Sequence, residues 1–90
     1  MTLQRFIIER DMPAVGSLER EQLRAGVSMS KEVLRQLGPD IQWEQSYVCD
    51  DKTFCVFLAT DEAIIRKHTE MASVPVTRIV RARRIADQTT

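Results

Sequence analysis

The side chains with the strongest metal-binding and acid–base chemistry are one histidine, His68, and two cysteines, Cys49 and Cys55. Imidazole and thiolate are good ligands for nickel and zinc. The chain has no C-x-x-C and no H-x-x-x-H spacing, so a complete tetrahedral site within one chain is not expected. We therefore predict a metal set of His68, Cys55 and Glu44, shared between two copies of the chain or completed by Glu9 or water. The alternative for Cys55 is a small apolar side chain in a buried strand.

His68 falls on the apolar face of a predicted helix, because Ile65 and Met71 recur with it at helical spacing. Its ring is therefore expected to point toward a sheet. Two interpretations remain open. In the first, His68 is a core histidine that is hydrogen-bonded to a strand residue such as Tyr47 or Glu44. In the second, it lines a pocket between helix and sheet and acts there as a ligand or as a proton-transfer group.

Three further residues are predicted to bind a ligand: Trp43, Tyr47 and Glu9. Trp43 and Tyr47 have the same parity on one predicted strand, which would place them on one face of the sheet. Each has an apolar body and a polar group, which suits a pocket wall as well as a core or a dimer interface. Glu9 stands with Arg10 and Asp11 at the end of the first strand, where these residues would tie down the next loop or contact an anion or a metal.

Other classes of function are disfavoured by the composition. No serine is accompanied by a free histidine base and an orienting acid, and three glycines form no phosphate-binding loop. Thirteen basic and thirteen acidic residues cancel, which argues against a nucleic-acid partner. The arginines between residues 78 and 84 predict a solvated edge strand or an anion contact. No membrane segment or signal peptide is recognisable, and two free thiols suit a reducing compartment, so we expect a cytoplasmic protein.

The elements that must position these residues follow the order β-α-β-β-α-β. Strands are predicted over residues 4–10, 41–48, 54–59 and 76–85, and helices over residues 17–37 and 61–74. Ser17 and Asp61 are the expected N-caps, and Gly38 suits the left-handed position after the first helix. The order predicts an α+β, ferredoxin-like fold with a four-stranded antiparallel sheet and both helices on one face. We expect a single domain over residues 1–86 and a mobile tail over residues 87–90.

The third predicted strand has apolar residues on both faces, because six of them follow one another from Phe54 to Ala59. Successive side chains of a strand point to opposite faces, and the two helices can cover only one of these. An exposed apolar patch on the other face would be unusual for a monomer. We therefore predict a homodimer formed through the sheet; the residues leave open which face meets the helices.

Several short motifs, taken in order, resemble a known family. They are ERDMP at residues 9–13, Trp43 with SYV at 46–48, Cys55, DEAIIRKH at 61–68, and Pro75. Together they are similar to small bacterial ferredoxin-like proteins of unknown function that carry the label nickel-responsive protein-like. The resemblance covers roughly Phe6 to Ile79.

This resemblance implies a fold of the dimeric α/β-barrel type and a nickel-binding or nickel-responding role, with nickel as the cofactor. Two departures bear on that role. Ser73 and Val74 stand where the family tends to have a glycine and an aromatic residue or leucine, and Phe57 stands where many members have a tyrosine. The second departure removes a hydroxyl group from any ligand site that used it.

Three hypotheses for the function follow. The leading one is a non-enzymatic protein that binds or responds to a transition metal, with His68 as the first ligand. The second, by analogy of fold, is a cofactor-free oxygenase or isomerase of the dimeric α/β-barrel type, in which His68 is the general acid or base and Tyr47 orients the substrate. The third is an interaction scaffold without a ligand.

Overall fold

The structure is a computed structural model that describes residues 2–90. The strands are β1 (Gln4–Asp11), β2 (Ile41–Val48), β3 (Lys52–Ala59) and β4 (Arg78–Arg81), and the helices are α1 (Arg20–Leu37) and α2 (Glu62–Ala72). A short 3-10 turn, Val15–Ser17, precedes α1. The strands form one antiparallel sheet in the order β2-β3-β1-β4. This is the α+β, ferredoxin-like architecture predicted from the order of elements.

The core lies on one face of this sheet. Phe6 and Ile8 of β1 and Phe57 of β3 are buried there together with Ile65 of α2. Leu34 and other partly buried residues of α1 pack against the same cluster, so both helices cover this face. The opposite face of the sheet carries no element of the described chain, and we call it the outer face.

Buried and half-buried side chains alternate along the whole length of strand β3. This alternation shows which face of the strand meets the helices. The buried set faces the helices and consists of Thr53, Cys55, Phe57 and Ala59. The half-buried set lies on the outer face and includes Phe54, Val56 and Leu58. Apolar side chains on both sides of one central strand are therefore present, as the unbroken apolar run predicted.

The predicted N-cap of the first helix is wrong. The Ser17 hydroxyl donates a hydrogen bond back to the Ala14 carbonyl oxygen at 2.8 Å, so it serves the 3-10 turn and not α1. Glu19 is the N-cap and forms a capping box with Gln22, whose side chain accepts from the Glu19 backbone N–H at 2.9 Å. The prediction for α2 is confirmed, since Oδ1 of Asp61 accepts from the Ile64 N–H at 3.1 Å.

The last strand is shorter than the predicted range of residues 76–85. Arg81 pairs with Phe6 and the Ala82 N–H donates to the Arg5 carbonyl oxygen, so β4 reaches the start of β1 within a few residues. Beyond that point no neighbouring strand is left to accept its hydrogen bonds. Residues 87–90 form a local turn in which Oδ1 of Asp87 accepts from the Thr89 N–H at 2.9 Å.

A bulge in β2 changes which face its residues occupy. Trp43 is opposite Phe57, but Gln45 is opposite Val56, so Glu44 is an extra residue between them. Trp43 therefore points toward the helices, whereas Tyr47 pairs with Phe54 on the outer face. The prediction that Trp43 and Tyr47 share a face is wrong, because one inserted residue reverses the parity of the rest of the strand.

The loop after β1 is held against the turn between β2 and β3. The Met12 and Gly16 N–H groups donate to the carbonyl oxygens of Asp51 and Asp50, both at 2.9 Å. A Cβ atom at Gly16 would lie 2.6 Å from the Cys49 carbonyl oxygen, so only glycine allows this approach. The loop therefore has a defined position beside the sheet. Neither helix within residues 2–90 has the length and apolar character needed to span a bilayer.

Candidate functional site

A cavity of about 200 Å³ lies between the N-terminal half of α1 and the helix-facing side of the sheet. Its walls are mostly apolar and include Leu23 and Val27 of α1 and Trp43 and Phe57 of the sheet. His68 of α2 also lines it. The cavity is therefore the place where the only histidine, the only tryptophan and the helical apolar face meet.

The cavity exists because the two halves of α1 pack differently. The C-terminal half is anchored, with Val33 buried and Leu34 and Leu37 against the core. In the N-terminal half the apolar residues contact the cavity, and Val27 and Met29 remain 39% and 57% exposed. Apolar side chains that line a hollow and lack packing partners are a feature of ligand sites.

His68 is buried, with 2% of its surface exposed, and has one hydrogen-bond partner. Its Nε2 lies 2.9 Å from the hydroxyl of Ser30 on α1, and its ring is tilted against Phe57 with 5.1 Å between centroids. The expected partners, Tyr47 and Glu44, are not used, because both lie on the outer face. Nδ1 is buried and has no hydrogen-bond partner.

The charge state of His68 follows from its surroundings. Burial lowers its pKa to about 4 from the usual 6.5, and the positive charge of Arg10 acts in the same direction. The imidazole is therefore neutral near neutral pH. A neutral imidazole has one donor and one acceptor nitrogen, and Ser30 occupies only one of the two.

Arg10 is the single charged residue that lines the cavity. It lies on β1 and is 3% exposed. Its Nη1 donates to the Pro75 carbonyl oxygen at 2.8 Å and to the Thr69 hydroxyl at 3.2 Å. These two bonds hold the guanidinium against the end of α2 and the segment that follows it.

The residues predicted as a metal set are divided between the two faces of the sheet. His68 and Cys55 line the cavity. Glu44 lies on the outer face, where it accepts from Nε of Arg5 at 2.7 Å. The set of His68, Cys55 and Glu44 therefore does not assemble within one chain, because the bulge turns Glu44 away from the helices. No cluster of three or more His, Cys, Asp and Glu side chains able to hold a metal ion occurs within residues 2–90.

The residues predicted to bind a ligand are divided in the same way. Trp43 lines the cavity, and its Nε1 donates to the Ser46 hydroxyl at 3.0 Å. Tyr47 is 57% exposed on the outer face, and Glu9 accepts there from Nζ of Lys52 at 2.9 Å. Tyr47 therefore cannot orient a substrate beside His68 of the same chain.

Two residues of the site were not predicted as its members. Arg10 is predicted to tie down the loop after β1 or to contact an anion or a metal, but not to lie beside His68, although it shares parity with Phe6 and Ile8 and so faces the core. Ser30 interrupts the apolar stripe of α1 at helical spacing, but the sequence alone does not identify it as the partner of His68. A polar residue inside an apolar stripe is a signal that such a partner exists.

A second hollow of about 270 Å³ lies beside the end of β4. It is lined by the first residues of β1 and by the arginine-rich segment from Arg81 to Arg84. These arginines are mostly exposed, and Arg81 donates to Oε1 of Gln4 at 2.8 Å. The hollow thus lacks the buried polar groups that distinguish the cavity under α1.

Fold and site together define a small ferredoxin-like α+β protein with an apolar cavity between its first helix and its sheet. The profile of the family described as nickel responsive protein SCO4226-like matches residues 6–81, and the chain belongs to this family. The crystal structure of SCO4226 from Streptomyces coelicolor A3(2) is similar, with a TM-score of 0.76 and 14% identity over 91% of this chain and 99% of that chain. This likeness shows the fold. No protein with a curated description matches the sequence.

The low pKa of His68 predicts a loss of stability as the pH falls from about 6.5 toward 4. The unfolded chain takes up the proton near its ordinary pKa of 6.5, but the folded protein takes it up only near pH 4, so the contribution is complete above 6.5 and lost below it. At about 1.4 kcal/mol per pKa unit the loss is at most about 3.5 kcal/mol. Denaturant unfolding at several pH values measures it.

The matched control is His68→Gln, which keeps an amide near Ser30 but does not titrate. Subtracting its unfolding free energy from that of the wild type removes the effect of carboxylates that both proteins share. If the two proteins lose stability in parallel between pH 6.5 and 4, the folded structure does not disfavour protonation of His68.

Proposed function

We propose that the protein is a non-enzymatic binding protein for a small organic molecule, with the cavity under α1 as its site. The observation that carries the proposal is the unpacked apolar half of α1 above a cavity of about 200 Å³. An apolar cavity of about 150 Å³ is large enough for benzene. The cavity here is suited to a single ring or a short branched chain with one polar group.

The charge in the cavity favours an organic ligand over a metal ion. Arg10 is the one charged lining residue, and its positive charge already opposes a proton on His68. The same field opposes a divalent cation more strongly, because the repulsion scales with the charge. A compact ligand with an apolar body has no such cost and covers the exposed side chains of α1.

Binding of the neutral probe 2-phenylethanol tests this proposal. We expect a Kd of about millimolar, measured by the change in fluorescence of Trp43, the only tryptophan. The variant Gly26→Leu should weaken binding at least about tenfold, since Gly26 lines the cavity and a Cβ there meets no atom within 4 Å. The matched control is Ala25→Leu, at an exposed neighbouring position outside the cavity lining, and should bind as the wild type does.

A probe that leaves the fluorescence of Trp43 unchanged at several times the expected Kd would contradict the proposal. Equal affinities for Gly26→Leu and Ala25→Leu would show that the probe binds elsewhere. Both variants replace a small residue of α1 by leucine, so a general effect on the helix would appear in both.

Nickel binding is the second candidate, favoured by membership of a family described as nickel responsive and by the unpartnered Nδ1 of His68. Within one chain the fit is incomplete, because His68 and Cys55 share the cavity with the guanidinium of Arg10 and Glu44 lies on the other face. If nickel binds at Nδ1, a calorimetric titration should show loss of binding in His68→Ala.

The same titration should show tighter nickel binding in Arg10→Met, because this variant removes the nearest positive charge. A nickel affinity that is equal in wild type and His68→Ala would exclude His68 as a ligand. An affinity lowered in Arg10→Met would contradict the electrostatic argument against a metal in the cavity.

We also propose that two chains form a homodimer of the dimeric α/β-barrel type through their outer faces. Val80, Ile7 and Val56 lie side by side across β4, β1 and β3, with Phe54 and Leu58 adjacent. Ion pairs flank this apolar strip, between Arg5 and Glu44 on one side and Lys52 and Glu9 on the other. An apolar centre within a polar rim is typical of protein interfaces.

Light scattering should give twice the mass of one chain, and Val56→Lys should reduce it to the mass of one chain. Val56 is at the centre of the strip, so a lysine there would bury a charge in the interface. The matched control is Met71→Lys on an exposed position of α2, on the other side of the sheet, and should leave the mass unchanged. A wild-type protein with the mass of one chain would refute the dimer.

A further inference from the structure

Arg10 is a buried cation without a carboxylate partner. None of the ion pairs among residues 2–90 includes it, and no Asp or Glu lines the cavity. Its two hydrogen bonds go to neutral oxygens, those of Pro75 and Thr69. An uncompensated buried charge is strongly unfavourable, so this arrangement calls for a negative group from outside the chain.

Arg5 on the same strand has a carboxylate partner, so the absence of one is specific to the arginine that lines the cavity. Arg5 lies on the outer face and is held by both carboxylate oxygens of Glu44, at 2.7 and 3.3 Å. It is partly exposed and would be solvated even without that partner. Arg10 has no carboxylate partner, although it is the more buried of the two.

The guanidinium also has unused donors. Both of its hydrogen bonds come from Nη1. The groups on Nε and Nη2 have no acceptor within the described part of the chain, yet an arginine presents five N–H groups in a planar fork. Two adjacent donors of this fork match the two oxygens of a carboxylate, which forms a bidentate, charge-assisted pair with arginine.

We propose that the ligand of the cavity is a small organic carboxylate with an apolar body of about one ring, whose carboxylate group is bound by Arg10. This inference rests on the proposed function and names its ligand class. The apolar walls formed by Leu23, Val27 and Trp43 take the body, and the guanidinium supplies the counter-charge. The ligand needs no ordered counter-ion of its own, because the cavity carries one positive charge.

The proposal also predicts a change in the tautomer of His68 when the ligand binds. Ser30 is bonded to Nε2, and Nδ1 has no partner. When a carboxylate accepts from Nδ1, the proton must reside on that nitrogen, and Nε2 then accepts from the Ser30 hydroxyl. A carboxylate that is bound by Arg10 and also accepts from Nδ1 thus selects one neutral tautomer of His68, whereas a molecule that offers Nδ1 no acceptor leaves both tautomers available.

The affinities of two probes that share a phenyl ring and differ in their polar group, a carboxylate or a neutral hydroxyl, test the ligand class. These are phenylacetate and 2-phenylethanol, measured through Trp43 fluorescence in the wild type. We expect phenylacetate to bind about 10- to 100-fold more tightly, the range expected for charge-assisted hydrogen bonds. Arg10→Met should reduce the ratio to about one, and the control Arg5→Met, on the same strand but on the outer face, should keep it.

Equal affinities of the two probes for the wild type would overturn the carboxylate inference and leave the small-molecule site intact. Failure of both probes to bind would overturn both proposals. If Arg10→Met does not fold, the wild-type ratio decides alone, together with the ¹⁵N NMR signals of the single histidine. Those signals should move to the Nδ1-protonated tautomer with phenylacetate and not with 2-phenylethanol, and no change with either probe would remove His68 from the site.

Discussion

The alternation of β3 is the constraint on which both candidate surfaces depend. As the strand next to both β1 and β2, it directs Cys55 and Phe57 toward the helices, where they line the cavity and the core. The residues that alternate with them, Phe54 and Val56, form the centre of the outer face. A charged residue at any of these positions would disrupt either the core or the apolar strip. One strand therefore specifies two surfaces, and a shift of one residue in its register would exchange them.

The charges of the cavity are coupled in a way that limits its chemistry. A protonated His68 beside Arg10 would place two positive charges in an apolar space, and the low pKa of His68 avoids this. The cavity then carries a single cation that is fixed by two hydrogen bonds. The unfavourable free energy of that buried guanidinium is tolerated within a fold whose only other buried polar residues among residues 2–90 are Thr53 and His68, and such exceptions concentrate at functional sites. The charge of Arg10 therefore restricts the class of ligand more than the apolar walls do.

The sequence was sufficient for the architecture, because periodicity and turn residues mark each element. The apolar run from Phe54 to Ala59, the Asp61 cap and Gly38, with its positive φ of 84°, were all recognisable. The site was only partly accessible. The bulge at Glu44 has no residue signature of its own, and it reversed the faces of Tyr47 and Glu44 relative to Trp43. The cavity under α1 depends on the distance and angle at which the helix packs on the sheet, and the periodicity of apolar residues does not specify these.

The two candidate surfaces lie on opposite sides of one sheet, and this separation has a consequence for how they interact. In the proposed dimer the partner would lie on the outer face, on the side of the sheet opposite α1 and the cavity. Every strand carries residues of both faces, and in β2 Trp43 stacks on Phe57 with ring centroids 6.3 Å apart, while Tyr47 follows after the bulge on the outer face. A ligand that displaces Trp43 would act on the outer face through that segment. Arg10 is bonded to Thr69 and Pro75 on the helix side of the sheet, whereas its neighbour Glu9 points to the outer face and pairs with Lys52. Strand β1, like β2, therefore carries residues of both candidate surfaces at nearby positions.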